Sequence, residues 1–422
     1  MTPMFRALSV RNYRLYFTGQ VLSNTGTWMQ RVAQDWLVLD LSGTSGVALG
    51  ITTGLQFLPY LFFSLWGGTL ADRFERRRML IWTQSAMGLL ALALGVVTLL
   101  GLATVNLVYV FAFLLGCASA LDNPARQAFV NEIVGPDDLT NAIALNSASF
   151  NLARLGGPAL AGVMVALIGS GWVFILNAAS FAITIVALLL MRGAELFPQV
   201  RRTGSVRLAQ GLHYVRARRD LILVLALAFG VATFGLNYQM TMALMARQQF
   251  HLGAEAFGLM STFLALGALA GSLIAARRTR VSLKLVFVAA MLFGAAEIVV
   301  GFSPTYVTML LALPFAGILA MTFTTSAQSF LQTHSEDWVR GRVMGLYTLV
   351  FFGGTPVGAP LIGWAADRFG PRSGLVVGGL GTVVWTAVAF GLYWLTRDRE
   401  ARASGPALDA AQEKTAATDS RG

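Results

Sequence analysis

In the first long apolar run of the chain, Gln20, Asn24, Thr27, Arg31 and then Gln34 with Asp35 recur every three or four residues. On a helix that spacing gathers them on one face. Polar groups on an apolar helix have two uses. They hold a neighbouring helix by hydrogen bonds, or they line a wet passage and bind what moves through it. A charge turned to lipid costs several kcal/mol, so a stripe containing Arg31 and Asp35 is expected to face a cavity. The two lie one turn apart and can pair, roughly 25 Å along the helix from Arg14. Asp35 is the first candidate for carrying a proton, because its proton affinity depends on how Arg31 and the surrounding burial are arranged. The plainer alternative is a static ion pair.

A second stripe, Thr233, Asn237, Thr241, Met245 and Gln248, repeats the spacing in the seventh apolar run and is expected to line the same cavity. Arg154 follows Asn146 and Asn151 in the fifth run and is a further cavity charge in search of a partner. Glu297 is the other acid inside an apolar run. Its place just before Ser303-Pro304 reads as an acid reaching for the outer interface, with proton coupling as the second reading. Met240, Met242 and Met245, with Trp28, Trp36, Phe57 and Tyr60, suit either a tolerant pocket for amphipathic molecules or ordinary packing. His213, His251 and His334 are too scattered for a metal site, and no phosphate loop, catalytic triad or cofactor motif occurs. The reading is therefore not an enzyme, with no metal and no cofactor.

The elements that must position these residues are transmembrane helices. The chain has 422 residues, 56% of them hydrophobic and only 12% charged, with a mean hydropathy of +0.65. Soluble domains carry about 25% charged residues, so too few charges remain to cover a wetted surface, and lipid is the solvent. About twelve runs approach the length of about 20 residues that spans a bilayer: 14–40, 46–71, 79–101, 106–126, 140–168, 171–191, 221–246, 254–276, 283–302, 305–330, 341–365 and 374–396. They are long and continuous, as helices require, and not short and alternating as in a β-barrel. The first run is too long and too polar for a cleaved leader. Cys117 is the only cysteine, so no intrachain disulfide forms.

The net charge of +11 is explained by topology and not by nucleic acid. With the N-terminus inside, Arg6, Arg11 and Arg14, the Arg73–Arg78 cluster, Arg126, the arginines of the midpoint segment, Arg277 to Lys284, Arg340, Arg342 and the tail are all cytoplasmic. The outer loops keep only Arg247, Arg368 and Arg372. That asymmetry places both termini in the cytoplasm. The midpoint segment divides the chain, which reads as an arm 1–13, a six-helix bundle 14–191, a linker 192–220 holding Pro198 and Gly204, a second bundle 221–396 and a tail 397–422. The halves retain traces of one another: Gly68 to Leu80 aligns with Gly271 to Leu283, and Pro158 with Pro360, at nearly one offset.

Gly68-x-Leu70-Ala71-Asp72-Arg73-x-Glu75-Arg76-Arg77-x-x-Leu80 sits between the second and third runs. It resembles the signature loop of the major facilitator superfamily. Glu75 stands where the general motif has glycine, and this, with Asp122-Asn-Pro124-Ala-Arg126-Gln127, Arg154-Leu-Gly156-Gly157-Pro158 and Arg340-Gly341-Arg342-Val343-Met344-Gly345-Leu346, is similar to the enterobactin-exporter-like branch, which includes the transmembrane secretion effectors. The resemblance runs over roughly 10–395. It implies an all-α membrane protein of twelve helices in two six-helix bundles, with the first, fourth, seventh and tenth lining a central cavity. Ala153 to Gly162 also resembles the antiporter motif, with Ala153 and Ala161 in place of glycines.

In physical terms Asp72 ends a helix and can accept from the free N–H groups of a neighbouring helix start. Gly68 allows close approach. Arg73 and Arg76 can pair with Asp122, near Arg126, so that the group forms a cytoplasmic gate. The implied protein is a monomeric, proton-coupled exporter in the bacterial cytoplasmic (inner) membrane, with lipid and protons as partners and a small amphipathic substrate such as a drug, antibiotic or siderophore. An importer or lipid-headgroup carrier of the same fold, and a membrane sensor that moves nothing, stay open.

Overall fold

The computed structural model describes the backbone of residues 3–197, 208–278 and 281–419, and the side chains of 5–63, 74–197, 210–278 and 281–395. Among these residues the chain is helical and has no strand. The helices are α1 (Arg11–Leu41), α2 (Gly46–Arg73), α3 (Arg76–Leu99), α4 (Val105–Ile133), α5 (Pro136–Ile168) and α6 (Ser170–Leu189). A short helix, Leu208–Arg216, leads into α7 (Arg219–Gln249). Then come α8 (Ala254–Ala276), α9 (Leu283–Gly301), α10 (Tyr306–Thr333), α11 (Arg340–Phe369) and α12 (Pro371–Asp419).

Eleven helices among the described residues are long and apolar enough to cross a membrane. The remaining long one, α1, is 31 residues, and its polar stripe is what lowers its hydropathy. Local signals set the boundaries. Pro136 opens α5, where a missing N–H costs nothing. Thr305 and Thr308 form a capping box at the start of α10. Gly169 and Gly370 take positive φ, so α6 and α12 begin at once after sharp turns.

Helices α1 to α6 pack together, as do α7 to α12, and the two sets meet chiefly through α2 against α11 and α5 against α8. One face of the bundle, here the near face, holds the start of α1 and the end of α6. There Asn12 and the backbone of Arg192 exchange two hydrogen bonds of 3.0 Å. The meeting of the two sets is tightest towards the opposite, far face. A methyl added to Gly50 would stand 2.4 Å from the carbonyl oxygen of Ala359, and one on Gly258 2.3 Å from that of Pro158. Such close backbone approach is the packing that small residues permit between membrane helices.

Helix α7 is not regular. π-turns at Val231–Gly235 and Met245–Gln249 interrupt it. A π-turn bonds i to i+5 and so inserts an extra residue. Each one displaces everything beyond it by about 100° relative to an ideal 3.6-residue helix.

Candidate functional site

Between the two sets lies a cavity of about 460 Å³, within the range of small-molecule sites. The α1 stripe forms one wall, with Asn24, Thr27 and Arg31 in its lining. Arg154 from α5 and Tyr238 from α7 face them. Towards the near face the lining continues through Asp122 and Arg126 of α4 and Thr324 of α10. A smaller space of about 170 Å³ extends towards the far face past Arg31, Asp35, Gln56, Asn237 and Gln239.

Arg126 anchors the α1 stripe. Its guanidinium pairs with Asp122, one turn back on α4, and donates to Gln20 at 2.8 Å and Asn24 at 3.2 Å. Asp122 is buried and also accepts from Thr83 at 2.7 Å and Gln84 at 3.0 Å on α3. The α4 ion pair thus joins α1, α3 and α4. Gln34 is buried deeper along the stripe beside Gln30, which accepts a hydrogen bond from Asn177 of α6.

The sequence pairings are redrawn. Arg76 bonds Glu132 at 2.8 Å and not Asp122. Arg76 begins α3 at the near face beside the last turn of α4, whereas Asp122 lies ten residues, about 15 Å, deeper. Among the described residues Arg31 forms no hydrogen bond or ion pair with Asp35. Its guanidinium lies over the ring of Trp28, 4.8 Å from the centroid. Helical side chains lean towards the N-terminus, so Arg31 reaches back to Trp28 more easily than forward to Asp35. Arg154 stands 6.0 Å from the same ring. Among the described residues neither arginine makes an ion pair with a carboxylate, although Asp35 lies within electrostatic reach of Arg31. The side chains of Gly68, Asp72 and Arg73 lie outside the described residues.

The α7 stripe is only partly at the cavity. Asn237 lines it, but Thr233, Thr241 and Met245 are buried and turned away. The Val231–Gly235 π-turn sets Thr233 against α11, where a methyl on Gly354 would meet its backbone N at 2.8 Å. Thr241 packs beside Gly374 of α12, and Met245 joins the apolar core. Asn237 Nδ2 donates to the Thr233 carbonyl at 2.8 Å, satisfying backbone at the irregular turn. The cavity face of α7 is instead Leu236, Tyr238, Gln239 and Met240. Glu297 is not interfacial. It is 3% exposed, on the face of α9 that carries Phe293, Gly294 and Val300, while Val288, Leu292 and Val299 face outward.

Asp367 is a residue that sequence reasoning passed over. It ends α11 at the far face and accepts from the backbone N–H groups of Gly46 at 2.5 Å and Val47 at 2.9 Å, and from Ser45 Oγ at 2.9 Å. A carboxylate thus caps the start of α2, where free N–H groups and the helix dipole favour negative charge. Arg247 and Asp40 add a 3.0 Å ion pair across the same face. The signal was present: Gly363-x-x-Ala366-Asp367-Arg368-Phe369 repeats Gly68-x-x-Ala71-Asp72-Arg73-Phe74.

Two helix sets clasped at one face around a cavity of mixed polar and aromatic lining are the architecture of a major facilitator transporter. Solved structures agree on the fold. A bacterial homologue of the human lysosomal transporter Spinster, in an inward-facing and occupied conformation, aligns with a TM-score of 0.69 at 16% identity, over 94% of this chain and 98% of that one. A POT family transporter in complex with 5-aminolevulinic acid aligns at 0.71 and 13%, over 91% and 96%. The sequence profile of the transmembrane secretion effectors matches residues 2–419, and the chain belongs to that family. It is 24% identical over 380 residues to the staphyloferrin A transporter of Staphylococcus aureus, covering 89% of this chain and 95% of that protein. It is 26% identical over 348 residues to the enterobactin exporter EntS of Salmonella typhimurium, covering 80% and 81%. The protein is a membrane transporter and not an enzyme.

Proposed function

We propose that this transporter exports a small, anionic, amphipathic molecule of the siderophore kind by alternating access, driven by proton entry. The observation that carries the reading is the cavity wall itself: Arg31 and Arg154, neither ion-paired to a carboxylate among the described residues, set among Trp28, Phe57, Tyr60 and Tyr238. Guanidinium groups bind carboxylates and similar anions in a planar fork, and flat rings take the apolar part of a ligand. The names of the two relatives, a siderophore transporter and a siderophore exporter, support the same class.

The near face is cytoplasmic in this reading, on the strength of the basic loops that lie there. Asp367 and the α2–α11 and α5–α8 contacts then form the closed outer gate, and the cavity is the inward-facing one, ready to load from the cytoplasm. In this reading Asp35, which lines the deep end of the space, exchanges a proton with the outer side when that gate opens.

Proteoliposomes test this. Enterobactin and staphyloferrin A, with the cationic dye ethidium as contrast, are offered on the side of the termini under an imposed proton gradient. At least one of the two siderophores is expected to move, at least tenfold more slowly in Arg31→Gln with Arg154→Gln, and without its gradient-driven part in Asp35→Asn. Transport of ethidium alone, or siderophore transport indifferent to the two arginines, overturns the reading.

A further inference from the structure

Glu297 lies away from the cavity, on the buried face of α9, opposite the π-turn of α7 and against α12. A methyl built on Gly235, the last residue of that turn, would stand 3.0 Å from Glu297 Oε2 and 2.9 Å from Thr382 Oγ1. The two oxygens therefore share one small space beside a glycine. Among the described residues neither has a hydrogen-bond partner, and neither does Thr386 Oγ1, one turn further along α12. Both threonines are fully buried. Phe293, one turn before Glu297, closes the space from the side, with Cε1 2.5 Å from the same point.

Tyr238 on α7 is the ionisable neighbour of the Glu297 carboxyl. Among the described residues no arginine or lysine of α7, α10 or α12 faces it. An ionised carboxylate buried without a counter-charge or donor is among the most costly arrangements in a protein interior. A proton on Glu297 removes the charge, and the neutral carboxyl is the form that this buried space between a phenyl ring and a threonine can hold.

We infer that Glu297, Thr382 and the α7 π-turn form a proton-binding site in the second helix set, separate from the cavity acid Asp35. The proton is held while α9, α12 and the π-turn are packed as here. Its release requires water to reach Oε2, and the fold offers a door. Tyr238, three residues beyond Gly235, lines the cavity on one side and meets Phe293 edge-on at a centroid distance of 5.9 Å on the other. Displacing that ring pair opens the site to the cavity. The same π-turn seats α11, since a methyl on Gly358 would lie 1.6 Å from the Thr233 carbonyl oxygen. Proton occupancy at Glu297 is thereby tied to the helix that carries Asp367. The site deepens the proton-coupling part of the proposed function, yet its occupancy depends neither on Asp35 nor on the substrate.

Infrared difference spectroscopy on the purified full-length protein tests it without any ligand. At neutral pH the wild type is expected to show a protonated-carboxyl C=O band. That band is lost in Glu297→Gln and kept in Asp35→Asn. It stays but shifts in frequency in Thr382→Val, where the polar neighbour of the carboxyl is removed, so a poorly folding Glu297→Gln does not leave the question open. A spectrum unchanged in Glu297→Gln, or a band that disappears in Asp35→Asn instead, overturns the site; the second result would still leave proton coupling through the cavity standing. A band that appears only when sodium is withdrawn makes this a sodium site and also overturns the proposal. If the band behaves as expected while siderophore transport fails, the substrate reading falls and the proton site stands.

Discussion

Helices α1 and α7 each open a set of six and each carry polar residues every three or four positions, but they handle them in opposite ways. In α1 the helix is continuous, and its stripe is wired outward, from Gln20 and Asn24 to Arg126 on α4 and from Arg31 and Asp35 into the cavity. In α7 two π-turns break the register, and the polar groups bond inward: Thr233 to the Phe229 carbonyl, and Asn237 to that of Thr233. The first helix behaves as a fixed wall tied down by charge. The second is a jointed one, whose backbone irregularity is filled by its own side chains and by the glycines of α11 and α12. Long spans crossing a bilayer tolerate such breaks only where the freed backbone groups are satisfied inside the protein.

The largest effect is expected from cutting the tie of the fixed wall. Arg126→Gln leaves Asp122 buried without its cation, and losing one partner of a buried pair costs about 3–5 kcal/mol. Thr83 and Gln84 still donate to Asp122, so the loss should fall at the lower end. The check is the melting temperature in detergent. The double change Arg126→Gln with Asp122→Asn should recover most of it. A single mutant as stable as the wild type would mean that α1 is held by packing alone.

The jointed wall breaks differently. Gly358→Ala places a methyl on the Thr233 carbonyl, a backbone group that no rotamer change can move aside. Overpacking of this kind costs roughly 1–3 kcal/mol. Gly156→Ala on α5, where nothing lies within 4 Å of the added methyl, should be neutral. If both alanines are neutral, α7 relaxes freely and the π-turn is not pinned by α11.

What was legible in the sequence follows the same division. Run lengths, the basic asymmetry and the α1 stripe depend on the chain's own periodicity, which lipid enforces strictly. The major facilitator fold could be read from them together with the motif at Gly68–Leu80. Placing Thr233, Thr241 and Met245 at the cavity failed because i to i+4 spacing assumes a regular helix, and nothing in Val231–Gly235 announces a π-turn. Glu297 was misplaced because depth along α9 does not say which way a residue faces. The partners of Arg76 and Asp367 were missed for a third reason. They lie on helices distant in sequence, and which helix end meets which is decided by the packing of the whole bundle. Only the repeated Gly-x-x-Ala-Asp-Arg-Phe hinted that α11 ends as α2 does.

The smallest expected effect separates the two walls most cleanly. Thr27 and Thr233 are both threonines on stripe positions, both in apolar helices, and Thr→Val is nearly isosteric while removing one hydroxyl. Thr27 faces the cavity beside Trp28 and Arg31, so Thr27→Val should change the apparent affinity for the transported molecule a few-fold and leave the melting temperature unmoved. Thr233 spends its hydroxyl on the Phe229 carbonyl at 2.8 Å and is buried against α11. Thr233→Val removes a local bond of about 1 kcal/mol, partly offset because a back-bonding hydroxyl strains the helix it bends. A melting shift of a degree or two with unchanged affinity is the expected reading. Were α7 a regular helix when the transporter works, the stripe would turn to the cavity as α1's does, and Thr233→Val would then weaken binding as Thr27→Val does. Transport kinetics of the two valine variants, measured side by side, decide whether the π-turn persists through the cycle or belongs only to the conformation seen here.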